Sequence, residues 1–129
     1  MYNALTTNLM VENVGKAIEF YKDILGFSVD AAVPDEKGAV IFAILSKDKV
    51  SLMVQDKGSL VSEYSVLDTK KIKPSITLYF VIDDFDERYK ELNGKYPIYV
   101  EPHVTPYGAR EFAILDPDGY PLTFAAQQD

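Results

Sequence analysis

The stretch Leu5-Thr6-Thr7-Asn8-Leu9-Met10-Val11-Glu12-Asn13-Val14 runs on through a helical pattern to Leu25-Gly26-Phe27. The second half of the chain answers it with Ile76-Thr77-Leu78-Tyr79-Phe80-Val81-Ile82-Asp83-Asp84-Phe85, which runs on to Asn93-Gly94. Both stretches begin with strand-like alternation and pass into an amphipathic helix that stops at a glycine. Both halves close on a similar strand, Val50-Ser51-Leu52-Met53-Val54-Gln55 in the first and Leu122-Thr123-Phe124-Ala125-Ala126-Gln127 in the second. An order of elements that occurs twice predicts a duplicated module. Paired positions in the two halves are therefore where chemistry is to be sought.

Residues 4–11 alternate as a strand. Asn13 is placed to cap the helix that follows, because its side chain can accept from first-turn amides. Val14, Ala17, Ile18, Tyr21, Ile24 and Leu25 fall at helical spacing. Residues 27–33, 39–46 and 49–55 read as strands, with turns at 34–38 and 47–49. Residues 56–74 have no clean period and read as a linker with a helical turn around 60–66, either a lid or a plain tether. In the second half, 75–82 is a strand. Asp84 with Glu87 resembles a capping box, and Phe85, Tyr89 and Leu92 form the buried stripe. Strands follow at 97–104, 109–116 and 121–127, separated by Thr105-Pro106-Tyr107-Gly108 and Asp116-Pro117-Asp118-Gly119, both good turn sequences. The fold class is α+β, with βαβββ occurring twice in a single domain over 1–129: module 1 at about 4–55, module 2 at about 75–127.

Alternation sorts the strand faces. One face is aliphatic and must pack on the helices. The other carries Thr6, Asn8 and Met10, then Ser51, Met53 and Gln55, then Thr77 and Tyr79, then Thr123. Hydroxyls, amides, methionine and tyrosine suit neither a dry core nor an open solvent face. They suit the wall of a semi-polar pocket, where a few polar groups orient a mostly apolar ligand. A half-exposed sheet face or an oligomer interface is the plainer reading of the same pattern.

Of 129 residues, 47% are hydrophobic and 26% charged, as in a globular protein. The net charge of −7 argues against nucleic acid and anionic membrane surfaces as partners and favours a cationic ligand. With no cysteine there is no disulfide, thiol nucleophile or thiolate metal site. The N-terminus has no signal-like pattern and no segment is long enough to span a bilayer, so a cytoplasmic location is expected.

Val11-Glu12-Asn13-Val14 with Ala17-Ile18-Glu19-Phe20-Tyr21 and Leu25-Gly26-Phe27, then Val81-Ile82-Asp83-Asp84-Phe85, Tyr107-Gly108-Ala109-Arg110-Glu111-Phe112 and Asp116-Pro117-Asp118-Gly119-Tyr120, resemble the vicinal oxygen chelate superfamily of glyoxalases, bleomycin-resistance proteins and extradiol dioxygenases. The resemblance covers the chain apart from the linker. It implies an open curved mixed sheet around a cavity, with the helices on the outer face, and a homodimer. In metal-dependent members it places His and Glu ligands on the first and last strand of each module. Here those places hold Thr6, Ser51, Thr77 and Thr123. A neutral hydroxyl is a poor ligand for a divalent transition metal. The character is thus closest to metal-free bleomycin-resistance-like members, with neither metal nor other cofactor expected.

The only histidine, His103, lies two residues from Glu101 and so on the same face of a regular strand. Arg110 and Glu111 lie on opposite faces of the next strand, which puts one of them in reach of that pair. No relay of nucleophile, base and acid is indicated. The leading reading is a metal-free binding protein for a cationic or aromatic small molecule. Its proposed lining is Thr6, Asn8, Met10, Ser51, Met53, Gln55, Thr77, Tyr79 and Thr123, with Tyr107 and Arg110 near a mouth. The alternatives are a metal-dependent lyase, isomerase or dioxygenase, and a non-catalytic dimeric module.

Overall fold

A computed structural model describes residues 1–127. The chain divides into two compact units, Met1–Ile72 and Lys73 onward.

In the first unit the elements run β1 (Asn8–Val11), α1 (Val14–Asp23), β2 (Ser28–Pro34), β3 (Val40–Lys47), β4 (Val50–Asp56) and α2 (Lys57–Glu63), with a single 3-10 turn at Ser65–Leu67. The strands form an open mixed sheet in the order β1-β4-β3-β2, with β1 parallel to β4 and the other neighbours antiparallel. The register joins Leu9, Val54 and Ala43 in one row and Leu52 with Leu45 in the next. All five are buried, as are Val14, Ala17, Phe20 and Tyr21 of α1. Phe20 takes the place in the buried stripe expected for Ile18. Asn13 caps α1 as its sequence position predicts, its Oδ1 accepting from the Lys16 amide at 2.9 Å. Asn13→Ala is expected to cost about 1 kcal/mol of stability, measured by urea unfolding.

In the second unit the elements run β5 (Leu78–Val81), α3 (Phe85–Asn93), β6 (Val100–Val104), β7 (Ala109–Leu115) and β8 (Pro121–Gln127). The sheet order is β5-β8-β7-β6, again open and mixed, with only β5 and β8 parallel. Phe112 and Ile114 pair with Phe124 and Leu122 across β7 and β8, and this face meets Phe85 of α3. The turn at Asp116 to Gly119 is closed by the Asp116 side chain, whose Oδ1 accepts from the amides of Asp118 and Tyr120 at 2.9 and 3.0 Å. Gly119 supplies the positive φ of +90° that this turn needs.

Several boundaries differ from the sequence expectation. β5 begins at Leu78 instead of residue 75, because its first partner is Leu122 and the preceding residue of β8 is Pro121, which has no amide to donate. β1 begins at Asn8, so Thr6 and Thr77 both lie outside the strands. The Asp84 side chain does not cap α3. It is held instead by Arg88 one turn on, at 2.9 Å. The linker read at 56–74 carries α2 and the 3-10 turn, with Asp56 as N-cap bonded to the Ser59 amide at 3.1 Å. Among the described residues no helix is long and apolar enough to cross a membrane.

Candidate functional site

The second face of each sheet holds the polar residues. In the first unit the register puts Asn8 beside Met53 and Met10 beside Gln55. It extends the same rows to Ile44 and Phe42 of β3, and Ser51 to Ser46. Ile44 and Phe42 were missed in sequence because β3 is apolar on both faces and gives no alternation to read.

Gln55 organises this face. It is only 6% exposed, and both its donors and its carbonyl oxygen are bonded. Oε1 accepts from Asn8 Nδ2 at 2.8 Å, while Nε2 donates to Ser59 Oγ at 3.0 Å and to Glu63 Oε1 at 2.8 Å. Ser59 and Glu63 belong to α2, so this helix lies over the Gln55 end of the face. A buried amide needs such partners, because an unmade bond there would cost more than the bond contributes when made. Thr6 is half-buried ahead of β1.

In the second unit Tyr79 pairs with Thr123, and Thr123 with Ala113. The neighbouring row runs Val81, Ala125, Glu111 and His103. Glu111 is 8% exposed, and its Oε2 accepts two short hydrogen bonds, from the Tyr79 hydroxyl and from the Tyr107 hydroxyl, each 2.6 Å. Lengths of this order mark charge-assisted O–H···O⁻ bonds. Tyr79 and Glu111 lie two strands apart, on the order of 10 Å between backbones. The tyrosine can span that gap because the strand between them presents Ala125 there. The carboxylate as hydrogen-bond acceptor raises the Tyr79 hydroxyl well above the ordinary phenol range, assisted by burial and charge repulsion, so Tyr79 keeps its proton and is a fixed donor. Thr77 is exposed, ahead of β5.

Arg110 is not on this face. It pairs with Ala126 and projects toward α3, where its Nη2 bonds Asp86 Oδ1 at 2.6 Å and its guanidinium sits 4.3 Å over the Phe85 ring. The Asp86 hydrogen bond holds the Arg110 pKa above its usual value, and Arg110 in turn holds that of Asp86 below. Glu111, one residue on, occupies the position that a site on the Tyr79 face requires. Glu101 and His103 do not act as a same-face pair either. A register irregularity between Val100 and His103 breaks the alternation. The Glu101 carboxylate takes the Tyr89 hydroxyl of α3 at 2.7 Å, whereas His103 pairs in register with Glu111 and bonds the Glu101 carbonyl through Nδ1 at 3.0 Å.

The donor set bears on the metal sites that the resemblance implies. Of the positions concerned, Thr6, Thr77 and Thr123 offer only hydroxyls, and the registers make Met53 rather than Ser51 the counterpart of Thr123, a thioether no better suited to such a metal. Among the described residues no three His, Asp or Glu side chains come together. These residues do not fit a divalent transition metal, which needs at least three imidazole, carboxylate or thiolate donors.

Comparison with known proteins bears on the fold. A family model described as Glyoxalase/Bleomycin resistance protein/Dioxygenase superfamily matches residues 4–124. No curated protein matches. A glyoxalase/bleomycin resistance protein/dioxygenase from Nocardioides is similar with a TM-score of 0.77 at 19% identity, over 100% of this chain and 87% of that one. A superfamily member from Sphaerobacter thermophilus is similar at 0.73 and 22% identity, over 98% of both chains. A glyoxalase-related enzyme from Clostridium phytofermentans gives 0.72 at 18% identity, again over 98% of both. At these identities the likeness speaks for the fold alone.

Proposed function

We propose, from the premise that this chain belongs to the Glyoxalase/Bleomycin resistance protein/Dioxygenase superfamily, that it is a small-molecule-binding protein that acts without a metal and protects by sequestration. The observation that carries this reading is Glu111, a nearly buried carboxylate on a sheet face, held by two tyrosines rather than by metal-binding neighbours. Such a face has what a binding wall needs: aromatic area from Tyr79 and Tyr107, and a few fixed polar groups for orientation. The hydroxyl and thioether residues at the superfamily's metal positions support the metal-free part. A Lewis acid is what the superfamily's lyase and dioxygenase chemistry uses to hold vicinal oxygens, and the side chains here are not suited to hold one.

The test has two arms. After incubation with zinc, nickel, manganese or iron salts and buffer exchange, the protein is expected to retain far less than one metal per chain by elemental analysis. Retention of roughly one per chain would overturn the metal-free reading. In the second arm, a thermal-shift screen identifies ligands. Tyr79→Ala is then expected to weaken binding about tenfold, with the far-UV circular dichroism unchanged, since it removes one ring and one fixed donor. Unchanged affinity would remove Tyr79 from the site.

We also propose that the chain works as a homodimer. The edge strands β2 and β6 expose every residue along their length, including Val29, Val33, Val100 and Val104. Uncovered apolar edges of this kind are ordinarily paired or protected. Light scattering at the mass of one chain would exclude it.

A further inference from the structure

We infer that the sheet face of the second unit takes its ligand through a protonated amine or amidine group, which docks on the second oxygen of Glu111 beside the Tyr79 and Tyr107 rings. This rests on the binding-protein reading and names the ligand class for that site.

A nearly buried carboxylate is ordinarily matched by a cation, because an unmatched charge is costly to hold away from water. Glu111 takes part in none of the ion pairs among the described residues. The cation next to it in sequence, Arg110, is turned to the opposite face and engaged by Asp86. Its register neighbour His103 directs Nδ1 to the backbone of Glu101. Among the described residues, Glu111 is therefore compensated by two phenol dipoles and by no cation.

The hydrogen-bond pattern leaves a place for the missing partner. Both tyrosines donate to Oε2. Oε1 accepts nothing from the described residues. No buried side-chain oxygen there lacks a partner, so Oε1 keeps contact with solvent. A carboxylate oxygen in that state is an open acceptor for an N–H donor.

The surroundings select among donors. Tyr79 is 46% exposed and Tyr107 71%, although both hydroxyls are turned in to the carboxylate. What these two residues offer to a ligand is therefore ring surface. Aromatic rings next to an anion favour an organic cation, which gains from the rings and the carboxylate together. An anionic ligand would be repelled, and a neutral one would leave the charge unmatched. The arrangement is hard to explain as a stability device, since buried polar clusters are matched or exceeded in stability by apolar residues of similar size.

The experiment uses 4-phenylbutylamine and benzamidine as probes, with the neutral isostere 4-phenylbutanol as control. Binding to the full chain is followed by amide chemical shifts in a 15N-labelled sample. The expected result is perturbation of residues around 79, 107–111 and 123–125 by both cations, with the alcohol at least about tenfold weaker. Glu111→Gln is expected to abolish that preference. Tyr107→Phe removes a competing donor from Oε2 at an exposed position, so it should sharpen the preference for the amine, and it decides the matter if the glutamine variant fails to fold. If the alcohol binds this face as tightly as the amines, the cation inference is overturned while the binding-protein reading survives. If cations bind with Glu111→Gln as they do with the parent, the inference is likewise overturned. If no cation and no neutral aromatic compound perturbs the face, both readings fall.

Discussion

Phe112→Ala is expected to destabilise the protein by about 3–5 kcal/mol, the usual cost of emptying a fully packed phenylalanine site. Phe112 has no exposed surface and sits at the meeting point of three rings. It stacks on Phe124 at 5.2 Å and meets Phe85 and Tyr89 edge-on, each at 5.3 Å. Two of these rings come from α3, so this one side chain ties helix to sheet. The site cannot easily collapse, because Phe124 is pinned from its other side by Phe80 at 5.1 Å. A residual cavity is therefore expected, and cavity volume adds to the transfer cost. Since whole domains have about 5–15 kcal/mol to lose, the variant should unfold at much lower urea. A loss below about 1 kcal/mol would show that this aromatic cluster does not hold the helix. Phe112 also follows Glu111 directly in β7, so a shift in this strand should disturb the carboxylate before the sheet melts.

The fold was legible because two independent signals agreed in each half. Alternation in residues 8–11 and 78–81 gave strands, and the helical stripe that follows gave a helix with a recognisable stop. Where such signals were weak, the reading slipped. The helix α2 has seven residues, too few for a clear period, and it is held by Gln55 and the Asp56 cap more than by its own apolar stripe. The starts of β1 and β5 depend on which backbone groups the neighbouring strand can offer, and a single strand cannot show that.

The site was legible on the strands that alternate and illegible on β7. There Ala109 through Ile114 contain five buried residues on both faces, so periodicity cannot sort Arg110 from Glu111. The missing signal lay in the turn. The Asp116 to Gly119 turn fixes Leu115 opposite Pro121, and counting back from that pair puts Glu111 opposite Ala125 and Arg110 opposite Ala126. Turn geometry therefore assigns the face that hydropathy leaves open. The failure at Glu101 is different in kind. An irregularity in β6 re-aims its side chain toward Tyr89, and such irregularities leave no reliable mark in composition.

Gln55→Glu is expected to detach α2 from the sheet, at a cost of about 2–3 kcal/mol. The substitution keeps shape and changes only charge and donor count. In the parent, Nε2 donates to Glu63 at 2.8 Å and to Ser59 at 3.0 Å. In the variant a carboxylate would face the Glu63 carboxylate at hydrogen-bond distance, with neither of the two N–H donors that the amide supplied. Like charges that close raise the affinity of the pair for a proton. The sign follows from that. The folded pair holds a proton more tightly than the unfolded chain does, so the penalty is full at neutral pH and is relieved as pH falls through the raised value. Gln55→Leu separates the electrostatic part from the bonding part. It removes the same hydrogen bonds without adding charge, and Ser59, Glu63 and Asn8 can return to water, so about 1 kcal/mol is expected with no such pH relief. Amide hydrogen exchange is the discriminating measurement. Protection should fall across 57–67 in both variants, further in Gln55→Glu, while the amides of β3 and β4 stay protected. Equal loss across the whole unit would mean that Gln55 supports the sheet itself. Loss confined to α2 would mean that this short helix is a separately held cover on the face that carries Asn8, Met10 and Met53, and that a single buried amide keeps it in place.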